Sequence, residues 1–203
     1  ILRLVGAGWR TPLARAAEAI TVFSVPFGAG RILIDLGRID RMFNVFFYGR
    51  YASALLWDVT SVSLYLLSSI VFFYLALLPD LAHARDQLTE VPQWQHEMYR
   101  ILALGWRDHP EQYRRLERVL DGMAVFMTLL VVTVHTVVAF VFSMTLQPVW
   151  HTAVLGPFFL VGAVFSGSGA VVIAMAILRR VFRLENILTR KHFDYMRQLL
   201  IAL

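Results

Sequence analysis

The chain has 203 residues, 58% of them hydrophobic and only 16% charged, with a mean hydropathy of +0.62. A soluble domain carries about 25% charged residues, so composition excludes an ordinary soluble globule and predicts an integral membrane protein. The absence of cysteine excludes disulfides, thiolate zinc sites and cysteine-ligated iron–sulfur clusters within the chain. The net charge of +5 reads as arginines gathered on one side of a membrane, and no nucleic-acid partner is expected.

The N-terminal string ILRLVGAGWRTP lacks the apolar core and small-residue cleavage site of a signal peptide. The C-terminus stops as a new apolar run begins, so the chain is expected to be one bundle and a portion of a longer membrane protein. Residues 13–34 are the first candidate span. It is the weakest, because only Ala19 to Gly30 lack charge and Pro26 interrupts them. Glu18 and Arg31 fall near its two ends, where they can reach the interfaces or a neighbouring helix.

The second span covers 53–78 and is expected to end at Pro79 and Asp80. Its twenty uncharged residues, Val59 to Leu78, are enough to cross a bilayer as a helix. Asp58 stands at its mouth. Ser61, Tyr65 and Ser68 follow at helical spacing, which puts a polar stripe led by a carboxylate on one face. A charged segment covers 79–118, with a short amphipathic helix expected between Gln93 and Trp106. The third span is 120–147, uncharged from Gly122 to Leu146 and carrying His135 near its middle. After the turn QPVWHT, the uncharged fourth span covers 153–178. Its small residues Gly162, Ser166 and Gly169 predict a close helix neighbour. A basic amphipathic segment closes the chain. The fold class is therefore all-α, an integral membrane bundle of four transmembrane helices with an amphipathic C-terminal segment.

Four spans put the N-terminus, the 79–118 connection and the C-terminal segment on one side. That side holds fifteen of the nineteen arginines and lysines, against Arg31, Arg38, Arg41 and Arg50 on the other, and is expected to be cytoplasmic. Asp35, Arg38, Asp58 and His151 then lie at the outer side, with Trp57 and Trp150 at the outer interface.

A lone mid-membrane histidine suggests haem, but no second histidine lies at a similar depth, so neither haem nor any metal site is expected. His135 can instead belong to a proton path. Asp121, Thr128 and His135 recur at a spacing of seven, a broken polar line running from the cytoplasmic end to the centre. Ser68, Tyr65, Ser61 and Asp58 run from the centre outward, and the two lines join if these helices pack side by side. Hydroxyls in such helices also bond simply to carbonyls one turn back. Asp58 and His135 are harder to explain away, because charge in a membrane is costly. At the outer rim, ion pairs around Asp40 and Arg41 solvate a loop. Asp58, at the head of a long apolar helix, has the character of a base that takes a proton from a hydroquinone.

Several strings come in order: DLGR (35–38), SALLWDVTSVSLYLLSSIVFFYLALLPDLA (53–82), ALGWR (103–107), VHTVVAFVFS (134–143), WHTAVLGPFFLVGAVFSG (150–167) and LRRVFRLENILTRKHFDYM (178–196). Together they resemble the NrfD/PsrC-type quinol-interacting membrane subunits, most closely the ActC/ActF subunits of bacterial alternative complex III. The resemblance covers almost the whole chain and matches the N-terminal of the family's two four-helix bundles. It implies a multi-pass subunit of the bacterial inner membrane with no redox cofactor of its own. It implies menaquinol or ubiquinol as substrate, bound near the outer face. Electrons would go to an iron–sulfur/molybdopterin-type peripheral subunit and on to c-type haem subunits. A second NrfD-like membrane subunit and lipids would be the membrane neighbours. Asp58 matches the acid of the family's WDV motif, assigned to the quinol site with Asp35 and Arg38 at its rim. Polar residues inside the bundles are proposed to conduct protons, which here would be Glu18, Ser61, Tyr65, Asp121, Thr128 and His135. Two departures matter. Asp35 replaces the usual histidine before an LGRP motif whose proline is here Ile39, and Val141 replaces an inner acid. Two readings therefore stand: a respiratory quinol:acceptor oxidoreductase subunit, and a scaffold subunit of the same kind of complex without a working quinol site.

Overall fold

A computed structural model describes residues 3, 4, 6–35, 37–88, 91–144, 148 and 151–203, with the backbone alone at 10, 11, 15, 19, 25, 29, 32, 33 and 35. Among these residues seven α-helices follow in order: α1 (Thr11–Asp35), α2 (Asn44–Phe47), α3 (Ala54–Gln87), α4 (Gln93–Leu102), α5 (Pro110–Ser143), α6 (Leu155–Val181) and α7 (Arg190–Ala202). No strand occurs among the described residues, in keeping with the all-α expectation.

Among the described residues three of these helices, α3, α5 and α6, are long and apolar enough to cross a membrane. Four spans were expected, and the fourth is not confirmed. The stretch 13–34 does form a helix, α1, but α1 is not among the three.

Two boundaries also move. The second span was expected to stop at Pro79, yet α3 runs through it to Gln87, 34 residues in all. Proline removes one helical hydrogen bond, but the turns beyond it are held from outside. Ala82 is buried, Leu81 packs on the same cluster, and Arg85 Nη2 donates to the Trp106 carbonyl at 3.0 Å. The third span was expected from 120, yet α5 begins at Pro110, where the fixed φ of proline suits a first helical position. It ends at Ser143; residues 145–147 and Trp150 lie outside the described residues. Most of the charged segment 79–118 is thus helix, including the short amphipathic α4.

The helices close a ring. α1 packs against α3 and α6, α3 most extensively against α5, and α5 against α6. Ala76, Leu78 and Ala82 of α3 share a buried cluster with Ala103, Trp106 and Leu116 and Leu120 of α5, so α3 and α5 run antiparallel. A second cluster joins Leu13 and Ala16 of α1 with Met175 of α6 and Leu188 and Met196 of the C-terminal segment. Trp9 stacks on Tyr195 beside it, 4.9 Å between ring centroids. Both clusters lie at the end where α1 and α5 begin and α3 and α6 finish. Elsewhere the long helices turn large side chains outward, Phe27, Leu67, Leu129 and Phe158 among them. Such a surface suits lipid or neighbouring subunits rather than water. The small-residue stripe of α6 is part of it. Added Cβ atoms at Gly162 and Gly169 would meet nothing within 4 Å, so among the described residues no helix approaches that face.

Candidate functional site

The site is built at the opposite end, where the chain enters α3. The turn before the helix is tight. A Cβ at Gly49 would collide with the Val45 carbonyl oxygen and lie 2.9 Å from Leu56 Cδ1, so only glycine fits there. Trp57 Nε1 donates to the Tyr51 carbonyl at 2.7 Å and ties the first turn of α3 to that loop. Thr60 Oγ1 donates back to Leu56 O at 2.7 Å. These contacts fix the backbone on both sides of Asp58.

Asp58 itself is half-buried, and its Oδ1 is shut away from solvent without a hydrogen-bond partner. A carboxylate oxygen in that state lacks the donors that water or an arginine would supply, and an unmade bond at a charged group costs more than a neutral one. It is a ready acceptor for any O–H donor that enters. Below it the stripe continues inward: Ser61 and Ser68 are buried and Tyr65 is half-buried.

The rim residues stand differently. Arg38 is exposed and its Nη2 pairs with Asp40 Oδ2 at 2.9 Å. Asp40, read from sequence as loop solvation, is thus the partner of Arg38, and no ion pair joins Arg38 to Asp58. Asp35 ends α1, but its side chain lies outside the described residues.

The inner polar residues are placed as follows. α3 and α5 do pack side by side, the condition set for joining the two polar lines. Asp121 Oδ1 accepts from Arg3 Nε at 2.7 Å and lies at the surface. Thr128 Oγ1 donates to Ala124 O at 2.8 Å. His135 Nδ1 donates to Val131 O at 2.7 Å, and its ring lies 5.9 Å from that of Phe159 on α6. Thr128 and His135 thus each bond one turn back on their own helix, the plain alternative for such groups. Among the described residues no hydrogen bond bridges the α5 line to the α3 stripe. Glu18 is half-buried on α1.

One feature was missed from sequence, a polar knot at the end where α5 begins. Asp108 Oδ1 accepts from Trp106 Nε1 at 2.7 Å and from Tyr113 Oη at 3.0 Å, while His83 Nδ1 stands 3.4 Å from Oδ2. Tyr74 Oη adds a bond to Leu102 O at 2.7 Å. The string ALGWR was singled out only as a motif; the fact that Asp108 and Tyr113 close on its tryptophan depends on tertiary packing. The Trp106 and Tyr113 donors hold the Asp108 carboxyl below its ordinary value.

The polysulphide reductase NrfD family model matches residues 7–203. No curated protein matches the chain.

Proposed function

The chain belongs to the polysulphide reductase NrfD family, and from that premise we propose that it is the quinol-binding membrane subunit of a respiratory quinol:acceptor oxidoreductase of the alternative complex III type. Members of the family are membrane subunits of quinol-linked oxidoreductases and work with iron–sulfur/molybdopterin-type subunits. In this reading α1 joins α3, α5 and α6 as a fourth span, which its packing against two of them supports. The Asp58 end faces outward from a bacterial inner membrane, as the arginine asymmetry suggests.

The observation that carries the reading is the buried, unpartnered Oδ1 of Asp58. A hydroquinone O–H would supply the missing bond, and ionised Asp58 would take its proton as general base. The electrons leave through a peripheral iron–sulfur partner and then c-type haem subunits, since the chain has no cysteine to ligate a cluster of its own. Ser61, Tyr65 and Ser68 offer hydroxyls for proton relay along α3. Glu18, Asp121, Thr128 and His135 would extend it only through added water, given the bonds the last two make to their own helix.

Asp58→Asn in the intact complex tests this. Quinol oxidation should fall by about 100-fold or more, the usual worth of a general base, with assembly unchanged. An unimpaired rate would instead favour the scaffold subunit. That second reading has its own support: Arg38 turns to Asp40 in the rim loop, and Asp35 and Val141 depart from the family pattern.

A further inference from the structure

We propose that the cleft where α6 turns into α7 binds a phospholipid headgroup carrying both a phosphate and an ammonium group. The cleft has a volume of about 710 Å³ and is lined by Arg179, Arg180, Arg190, Glu185 and Asp194 with Phe193. It is built by the fold. α6 ends at Val181, and Arg183 adopts a left-handed conformation with φ of 52°. The Leu184 N–H bonds back to Arg179 O at 3.0 Å, which reverses the chain. Thr189 and His192 then cap the start of α7. Leu188 and Met196, each 3% exposed, anchor the far wall to Met175 and Leu13.

The depth fits a headgroup. No charge occurs from Ala153 to Leu178, so Arg179 is the first charge after a span-length apolar run. It sits where hydrocarbon gives way to the interface. The Arg179 guanidinium lies over the Phe193 ring, 5.8 Å from its centroid. Among the described residues Arg179, Arg180 and Arg190 form no ion pair with any carboxylate, so their planar forks are open to phosphate oxygens. Glu185 and Asp194 line the same cleft, and the nearest cation to Asp194 is Arg197 at 4.0 Å. Three cations and two anions in one cleft match a zwitterionic phosphodiester, with the ammonium taken by the carboxylates. Free inorganic phosphate has no ammonium group for those carboxylates to take. Beside the cleft, Ile173, Ile177 and Val181 of α6 and Phe182 just after it are exposed, a track for acyl chains.

The test is native mass spectrometry on the chain purified in its intact membrane complex. Phosphatidylethanolamine, phosphatidylglycerol and inorganic phosphate are titrated separately. Phosphatidylethanolamine should bind at least tenfold more weakly to Arg180→Gln/Arg190→Gln, and unchanged to a control pair on α5, Arg114→Gln/Arg118→Gln. Glu185→Gln/Asp194→Asn should abolish the preference over phosphatidylglycerol. If the arginine pair cannot be assembled, Arg180→Lys replaces it; that variant keeps the charge, loses the fork and should still weaken binding several-fold. Binding unaltered by the arginine variants overturns the site. Equal retention of phosphatidylglycerol by the unaltered chain overturns the headgroup, and displacement by inorganic phosphate at lipid concentrations overturns the lipid.

Discussion

Asp108 shows how one carboxylate can organise a bundle end. Its two donors, Trp106 Nε1 and Tyr113 Oη, bind the ionised form and hold its titration below the ordinary carboxylate range. The sign follows from linkage: a depressed folded value means the contribution is fully present above the unfolded value and is lost as pH falls through the folded one. The knot should therefore loosen only below about pH 4. Tryptophan fluorescence recorded across that range should show an acid transition that Asp108→Asn lacks; identical curves would remove Asp108 from the account. Gly49 carries a steric argument instead. A methyl there collides with the Val45 carbonyl oxygen, a backbone contact that no side-chain shift relieves. Gly49→Ala should cost about 1–3 kcal/mol, as overpacking usually does, read as a lower denaturation midpoint of the assembled complex. Asp58 was legible from sequence as the first polar group of a long apolar helix. Its missing hydrogen-bond partner was not, because that depends on which side chains of other helices fail to reach it.

Helix centres could be read from sequence and helix ends could not. The apolar runs of α3, α5 and α6 announce themselves by length, and each was expected within a few residues of its core. Pro79 looked like a stop because a proline inside a helix removes a bond. The buried Ala82 and the Arg85–Trp106 contact, both made by residues far apart in sequence, carry the helix onward. The end of α6 shows the converse: Arg183 holds the left-handed position where glycine is usual. Relief of that strain predicts that Arg183→Gly raises stability by about 1 kcal/mol. A matched thermal-melting comparison of the two assembled complexes checks it, and a lower midpoint would mean that the arginine side chain contributes more than its backbone costs.

The whole molecule is a ring of four helices of which three are plainly apolar. Hydropathy along the chain left α1 marginal, and only its packing between α3 and α6 gives it a bundle position. The chain has no cysteine, so single cysteines can be introduced and labelled from either side of the membrane. If α1 crosses, labels at Leu4→Cys and His96→Cys report from one side and Arg41→Cys from the other. If Leu4→Cys and Arg41→Cys label together, α1 does not cross and the ring holds three spans. A mechanical property comes with the lengths of α3 and α5. Both are 34 residues and are pinned together at one end, around Ala82, Trp106 and Leu116. Asp58 lies 24 residues from Ala82, about 36 Å along the helix axis. α3 is thus a lever with its fulcrum at the knot and Asp58 at its far end, in the turn that the Trp57–Tyr51 bond holds. A tilt of about 3° at the fulcrum would carry Asp58 by about 2 Å over that arm, enough to make or break a hydrogen bond.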